Sequence, residues 1–163
     1  LLDEQRNPLH RTVLRRVRLP EGAFHVGVRI VVTDGEGHVL LVHSAKKKHP
    51  GVSPWECPGG AVLSGETSLR AAQRELCEET GIALDQCELH YIGGTTVGTC
   101  HHDNYLAVKK MPLEAMLFQP GETDTAKWVD FEEFFNMPAG RMPSPPLRRK
   151  MCTQSPWREM MGL

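Results

Sequence analysis

The stretch from Gly60 to Ile82, GAVLSGETSLRAAQRELCEETGI, constrains this chain more tightly than any other. Val62-Leu63 reads as a short strand, Ser64-Gly65-Glu66 as a turn, and a helix follows that Thr67 or Ser68 caps and Gly81 ends. Residues three and four apart share a helix face, which places Glu75 beside both Glu78 and Glu79. Leu69, Ala72 and Leu76 form a second stripe suited to packing on a sheet. One side of the helix is core, and the other is acid.

Three carboxylates on one face repel one another, and they gather near the negative end of the helix dipole. Either Arg70 and Arg74 compensate them on a solvated surface, or a hard divalent cation such as Mg²⁺ or Mn²⁺ does. Arg74 is expected to pair with a carboxylate, Glu66 or Glu75, and so fix its orientation.

The full set of positions decides between these readings. Gly60, Glu66, Arg74, Glu75, Leu76, Glu78, Glu79, Gly81 and Ile82 stand at the spacing of the Nudix box, and the chain resembles that family at every defined position of it. The resemblance implies an α/β/α sandwich with a mixed β-sheet over roughly residues 24 to 137. It also implies a hydrolase that cleaves a diphosphate linkage in a nucleoside diphosphate derivative by attack of water on phosphorus. Glu75, Glu78 and Glu79, with the main chain at Gly59, are then the expected ligands of Mg²⁺ or Mn²⁺. Glu75, Glu79 and Arg74 are expected in the catalytic machinery. An acidic residue from a late loop often joins as ligand or base in this family, and Glu122 in QPGETD is the candidate here.

Composition narrows the class without naming a substrate. At 163 residues with net charge −1, the chain suits one domain and carries no global basic field of a nucleic-acid binder. We expect a single domain over 1–163, with an N-terminal strand region (1–23) and a C-terminal tail (138–163) packed on the core. Five cysteines, Cys57, Cys77, Cys87, Cys100 and Cys152, form no CxxC pair, which fits reduced thiols in a cytoplasmic protein better than disulfides or zinc. No apolar run is long enough to span a membrane. The expected partner is a small nucleotide-type molecule, and a homodimer is compatible with the sequence.

Elsewhere, FHVGVRIVVT (24–33) and 39–43 read as a hairpin across Asp34-Gly35-Glu36-Gly37. Strands are also expected over 89–97, 105–110, 113–118 and 125–130, with a short helix at 131–137 and a proline-rich break at 142–146. Cys100-His101-His102-Asp103 falls in an expected loop, where consecutive side chains seldom converge on one metal. Cations outside the box, Lys46, Lys48 and Arg29, are expected to meet substrate phosphates.

Family signatures of particular substrates are missing after the box. Ala83 to Thr99 contains no Pro, and Tyr91 falls too early for a dinucleoside polyphosphate pattern. The segments LLDEQRNPLHRTV, LPEGAFH and HSAKKKHPGVSPWECPGG resemble the Nudix subgroup related to isopentenyl diphosphate isomerase, in which a Cys and a Glu move a proton; Cys57 would take that role. A non-catalytic nucleotide-binding sensor is the remaining alternative.

Overall fold

In the stretch of aliphatic residues between His25 and Thr33, successive side chains point to opposite sides, and both sides are buried. Such a strand belongs in the middle of a sheet covered on two faces. The computed structural model, which describes residues 1–14, 17–45, 53–138 and 142–163, shows this arrangement. The elements are β1 (His25–Thr33), β2 (His38–Ser44), β3 (Trp55–Glu56), β4 (Gly59–Ala61), α1 (Ser68–Thr80), β5 (His90–Val97), β6 (Cys100–Val108), β7 (Thr123–Asp130), α2 (Phe131–Asn136), α3 (Pro145–Thr153) and α4 (Trp157–Met160).

Seven strands form one mixed sheet ordered β3-β2-β1-β6-β5, with β4 on β1 and β7 on β2. β1 and β6 run parallel, from His25 opposite Cys100 to Thr33 opposite Val108. The hairpin partners β1 and β2 pair only at Thr33 and Val39. Beyond that point they part, because β4 takes Gly27 to Arg29 and β3 takes Val42 and His43. The Cys57-Pro58 link is tied into the gap by the Ile30 N–H donating to the Pro58 carbonyl at 2.8 Å. This wedge brings Glu56, Gly59 and Gly60 to the centre of the sheet.

Alternation sorts the core into two layers. Val28, Ile30, Val32, Leu40, Val42, Tyr105 and Ala107 pack with Ala71, Ala72 and Leu76 of α1. Val31, Val39, Leu41 and Leu106 face the other way, onto Phe134, Leu147, Met151 and Met161 of the C-terminal helices. The molecule is an α/β/α sandwich with a mixed sheet, as the resemblance implies. Among the described residues, no helix is long and apolar enough to cross a membrane.

Several elements depart from the sequence reading. Among the described residues of the N-terminal region, 1–14 and 17–20, no edge strand is added; Leu2 only bridges Pro8 and Phe24. The short strand lies at Gly59–Ala61 rather than at Val62-Leu63, because Gly59 fits against β1 and Gly60 against Glu75 where side chains would not. Residues 100–104 are strand and not loop, since parallel pairing with β1 and the turn Gly98-Thr99 carry β6 back to Cys100. Residues 113–115 form a single 3₁₀ turn in place of a strand. The prolines at 145 and 146 open α3 rather than prevent it, as proline does in a first helical turn.

Arg148 of α3 is 2% exposed, and among the described residues its guanidinium meets carbonyls rather than carboxylates. Its Nη1 donates to the carbonyls of Phe134, Phe135 and Met137 at 2.7–2.9 Å, closing the C-terminal end of α2, where the helix dipole favours a cation. Desolvation pulls its pKa below the ordinary arginine value. Arg148→Ala leaves those carbonyls and a cavity unfilled, and is expected to cost about 3 kcal/mol in a urea unfolding titration. A variant as stable as wild type would contradict this role.

Candidate active site

Thr67 caps α1 by accepting from the Arg70 N–H, and Gly81 ends it in the left-handed region at φ 75°. Between these stops, Glu75 and Glu79 lie one turn apart on the same edge and are 5% and 6% exposed. Both point into a cleft of about 1290 Å³, whose wall also carries Glu56, Gly59, Gly60 and Glu122. β3 and β4 reach this wall through the wedge described above. Glu122 is held beside the end of β2, where its carbonyl accepts from the Ala45 N–H at 2.9 Å.

Close approach of main chain to α1 depends on glycine. A Cβ at Gly60 would run into the Glu75 carboxylate, and one at Gly59 would run into the Val28 carbonyl. The Gly59 N–H donates to Glu79 Oε2 at 2.9 Å. The two glycines therefore form the surface on which the acidic edge of α1 rests.

Arg74 organises the acids that line its side of the helix. Its Nε and Nη2 donate to the two oxygens of Glu66 at 2.9 and 3.0 Å, a bidentate pair. Nη1 donates to Glu75 Oε1 at 2.7 Å and to Glu78 Oε2 at 3.2 Å, and Nη2 also reaches the Ala61 carbonyl at 3.0 Å. The Glu66 hydrogen bond, more than any other contact, raises the Arg74 pKa above its usual value and lowers that of Glu66. Both carboxylates named in advance as partners of Arg74 are bonded to it. Glu78, by contrast, is 42% exposed at its side chain and lies beside Arg74, outside the cleft wall.

Burial is the main reason the Glu79 carboxyl is pushed up to about 8, and the negative charges of Glu56, Glu75 and Glu122 add to it. The Gly59 hydrogen bond acts in the opposite direction but is outweighed. Glu56, 4% exposed on β3, was not singled out from sequence; its alternation with Trp55, which faces the other side, is the only signal that points to it.

A clustered set of oxygen donors, two of them on one helix edge, has the chemistry of a site for a hard divalent cation. Among the described residues, no three His, Cys, Asp or Glu side chains already converge into a closed cage. Mg²⁺ needs no such cage, since it keeps several waters and takes its remaining oxygens from one or two carboxylates and from substrate phosphate. The donor set fits a cation of that kind.

The remaining candidates fall elsewhere. Arg29 is buried on the β1 face opposite Glu75 and is absent from the cleft wall; it shares its face with Cys57 and Cys100, whose thiolates its charge favours. Alternation along β1 decides this, because Val28 and Ile30 occupy the α1 side. Lys46 and Lys48 lie outside the described residues. Cys57 is 3% exposed in the layer facing the C-terminal helices, its Sγ 3.7 Å from Met142 Sδ, and burial pushes its thiol up to about 12. A thiol so placed is a poor proton carrier at neutral pH. All five cysteines are free.

The family model of the NUDIX domain matches residues 23–151. An uncharacterized Nudix hydrolase of Listeria monocytogenes is 29% identical over 140 residues, covering 82% of this chain and 79% of that protein. An oxidized purine nucleoside triphosphate hydrolase of Danio rerio is 32% identical over 106 residues, covering 64% and 65%. A crystal structure from Deinococcus radiodurans superposes with a TM-score of 0.71 at 20% identity, covering 94% of this chain and 98% of that one.

Proposed function

Because the chain belongs to the NUDIX domain family and is a Nudix hydrolase, we propose that it cleaves the diphosphate linkage of a nucleoside diphosphate derivative with the help of Mg²⁺ or Mn²⁺. The observation that carries this reading is the placement of Glu75 and Glu79 on one buried helix edge, in a cleft that Glu56 and Glu122 also line.

Glu75, Glu79 and the main chain at Gly59 would hold the cation, with Glu78 tied to the same Arg74 outside the cleft wall. Bound there, a divalent cation neutralises phosphate oxygens and eases loss of the leaving group. The chain's own residues supply the rest. Arg74 holds the Glu75 carboxylate in place from behind. Glu122, which lines the same cleft, would take the proton of the attacking water as general base. Water attacks phosphorus, the bridging P–O bond breaks, and the departing phosphate leaves with the bridging oxygen. The 1290 Å³ of the cleft accommodates a nucleotide-sized molecule.

The test is product release from a panel of ADP-ribose, dinucleoside polyphosphates, nucleoside and deoxynucleoside triphosphates, and isopentenyl diphosphate, with Mg²⁺ or with chelator. We expect cation-dependent cleavage of a nucleotide class. Isomerisation of isopentenyl diphosphate without cleavage of any nucleotide would overturn the reading.

A further inference from the structure

The hydrolysis proposed above assigns no role to the run Cys100-His101-His102-Asp103, yet His101 is 1% exposed and held at both ring nitrogens. Its Nε2–H donates to the Asp3 carbonyl at 2.8 Å, and Nδ1 lies 2.8 Å from Thr96 Oγ1. With both ring nitrogens engaged, the imidazole has one orientation. On its flat side lies Phe24, with ring centroids 4.7 Å apart and planes 19° from parallel. Phe24 itself is clamped by two main-chain hydrogen bonds with Leu2, at 2.8 and 2.9 Å. Phe24 is partly buried and is one of the residues lining the same cleft as Glu75 and Glu79.

Position along β1 gives this platform its meaning. Val28 is opposite Gly60, against which the Glu75 carboxylate packs. Phe24 precedes Val28 by four residues of extended chain, about 13 Å at roughly 3.3 Å per residue. A ribose and diphosphate in extended form bridge such a gap. We propose that Phe24, backed by His101, is the stacking platform for the base of a nucleoside diphosphate derivative, so that the aromatic end of the substrate is selected at the far end of the cleft. This rests on the hydrolytic reading given above. A flat ring held from behind favours a flat partner, because stacking then costs no further ordering of the protein.

The test uses uncharged probes, so that neither a cation nor the charge of the cleft enters. Adenosine, guanosine, cytidine and uridine are titrated in the presence of chelator and followed by proton NMR, with ribose as the base-free control. Wild type is expected to bind at least one nucleoside more tightly than ribose and to shift its base protons upfield by ring current. Phe24→Leu keeps the main-chain clamp and an apolar side chain; it is expected to weaken that nucleoside roughly fivefold or more and to abolish the upfield shift. Phe24→Trp is expected to retain both. Equal affinity for nucleosides and ribose, or nucleoside binding unchanged in Phe24→Leu, overturns the platform. If nucleosides bind through Phe24 while no diphosphate is cleaved, the platform stands and the hydrolytic reading falls.

Discussion

Glu79→Gln is expected to lower cation-dependent turnover by at least about 10²-fold, with the fold intact. Glutamine keeps the shape of the side chain and can still accept the Gly59 N–H, 2.9 Å away in wild type. What it removes is the negative charge. The same substitution is expected to change how stability depends on pH when no cation is bound. The folded carboxyl is pushed up to about 8 from an ordinary 4.5, so the folded state holds its proton more tightly than the unfolded chain. Its contribution is therefore fully present below about pH 4.5 and is lost as pH rises toward and through 8. The slope does not exceed about 1.4 kcal/mol per pH unit. Urea titrations of cation-free wild type at pH 5 and pH 8 should show this decline, and Glu79→Gln should flatten it. Adding Mg²⁺ should restore wild-type stability most strongly at pH 8. A wild type whose stability rises across this interval in proportion to Glu79 ionisation would contradict the account.

Arg74→Lys is the second large effect expected. Lysine keeps the charge, yet a compact ammonium cannot reproduce five donor contacts to Glu66, Glu75, Glu78 and the Ala61 carbonyl at once. Freed from Nη1, Glu75 loses its fixed orientation at the cleft. We expect cation affinity to fall by about 10–100-fold, and kcat with it. The change in stability should stay near 1 kcal/mol, because Arg74 is 23% exposed and Glu78 more so. Calorimetric titration with Mn²⁺ separates this positioning role from a merely structural one. Wild-type cation affinity in a destabilised Arg74→Lys protein would show that the arginine only holds the fold.

The parts of this protein that sequence made legible were those decided by local rules. The cap at Thr67, the stop at Gly81 and the apolar stripe of α1 follow from residues within one or two turns of each other, and all are where the pattern put them. The pairing of Arg74 with Glu66 was legible for the same reason. What escaped depends on distant partners. His101 and Asp103 looked like loop residues because partners that fix them, Asp3 and Arg6, lie 98 and 97 residues away, and Thr96 meets His101 only once β5 and β6 pair. Arg29 seemed free to meet a phosphate until the parity of β1 turned it toward Cys57. Glu56 sits in a strand of two residues, too short to show a period, and joins the acidic cleft only because β1 and β2 part around it.

The measurement closest to the central claim is Mn²⁺ binding to the protein alone, followed by electron paramagnetic resonance at pH 8. The account predicts saturable binding in wild type that weakens sharply in Glu79→Gln and disappears when Glu75 is also replaced by Gln. Binding that survives both substitutions, or a wild type that binds no Mn²⁺ at millimolar concentration with or without nucleotide, would contradict it.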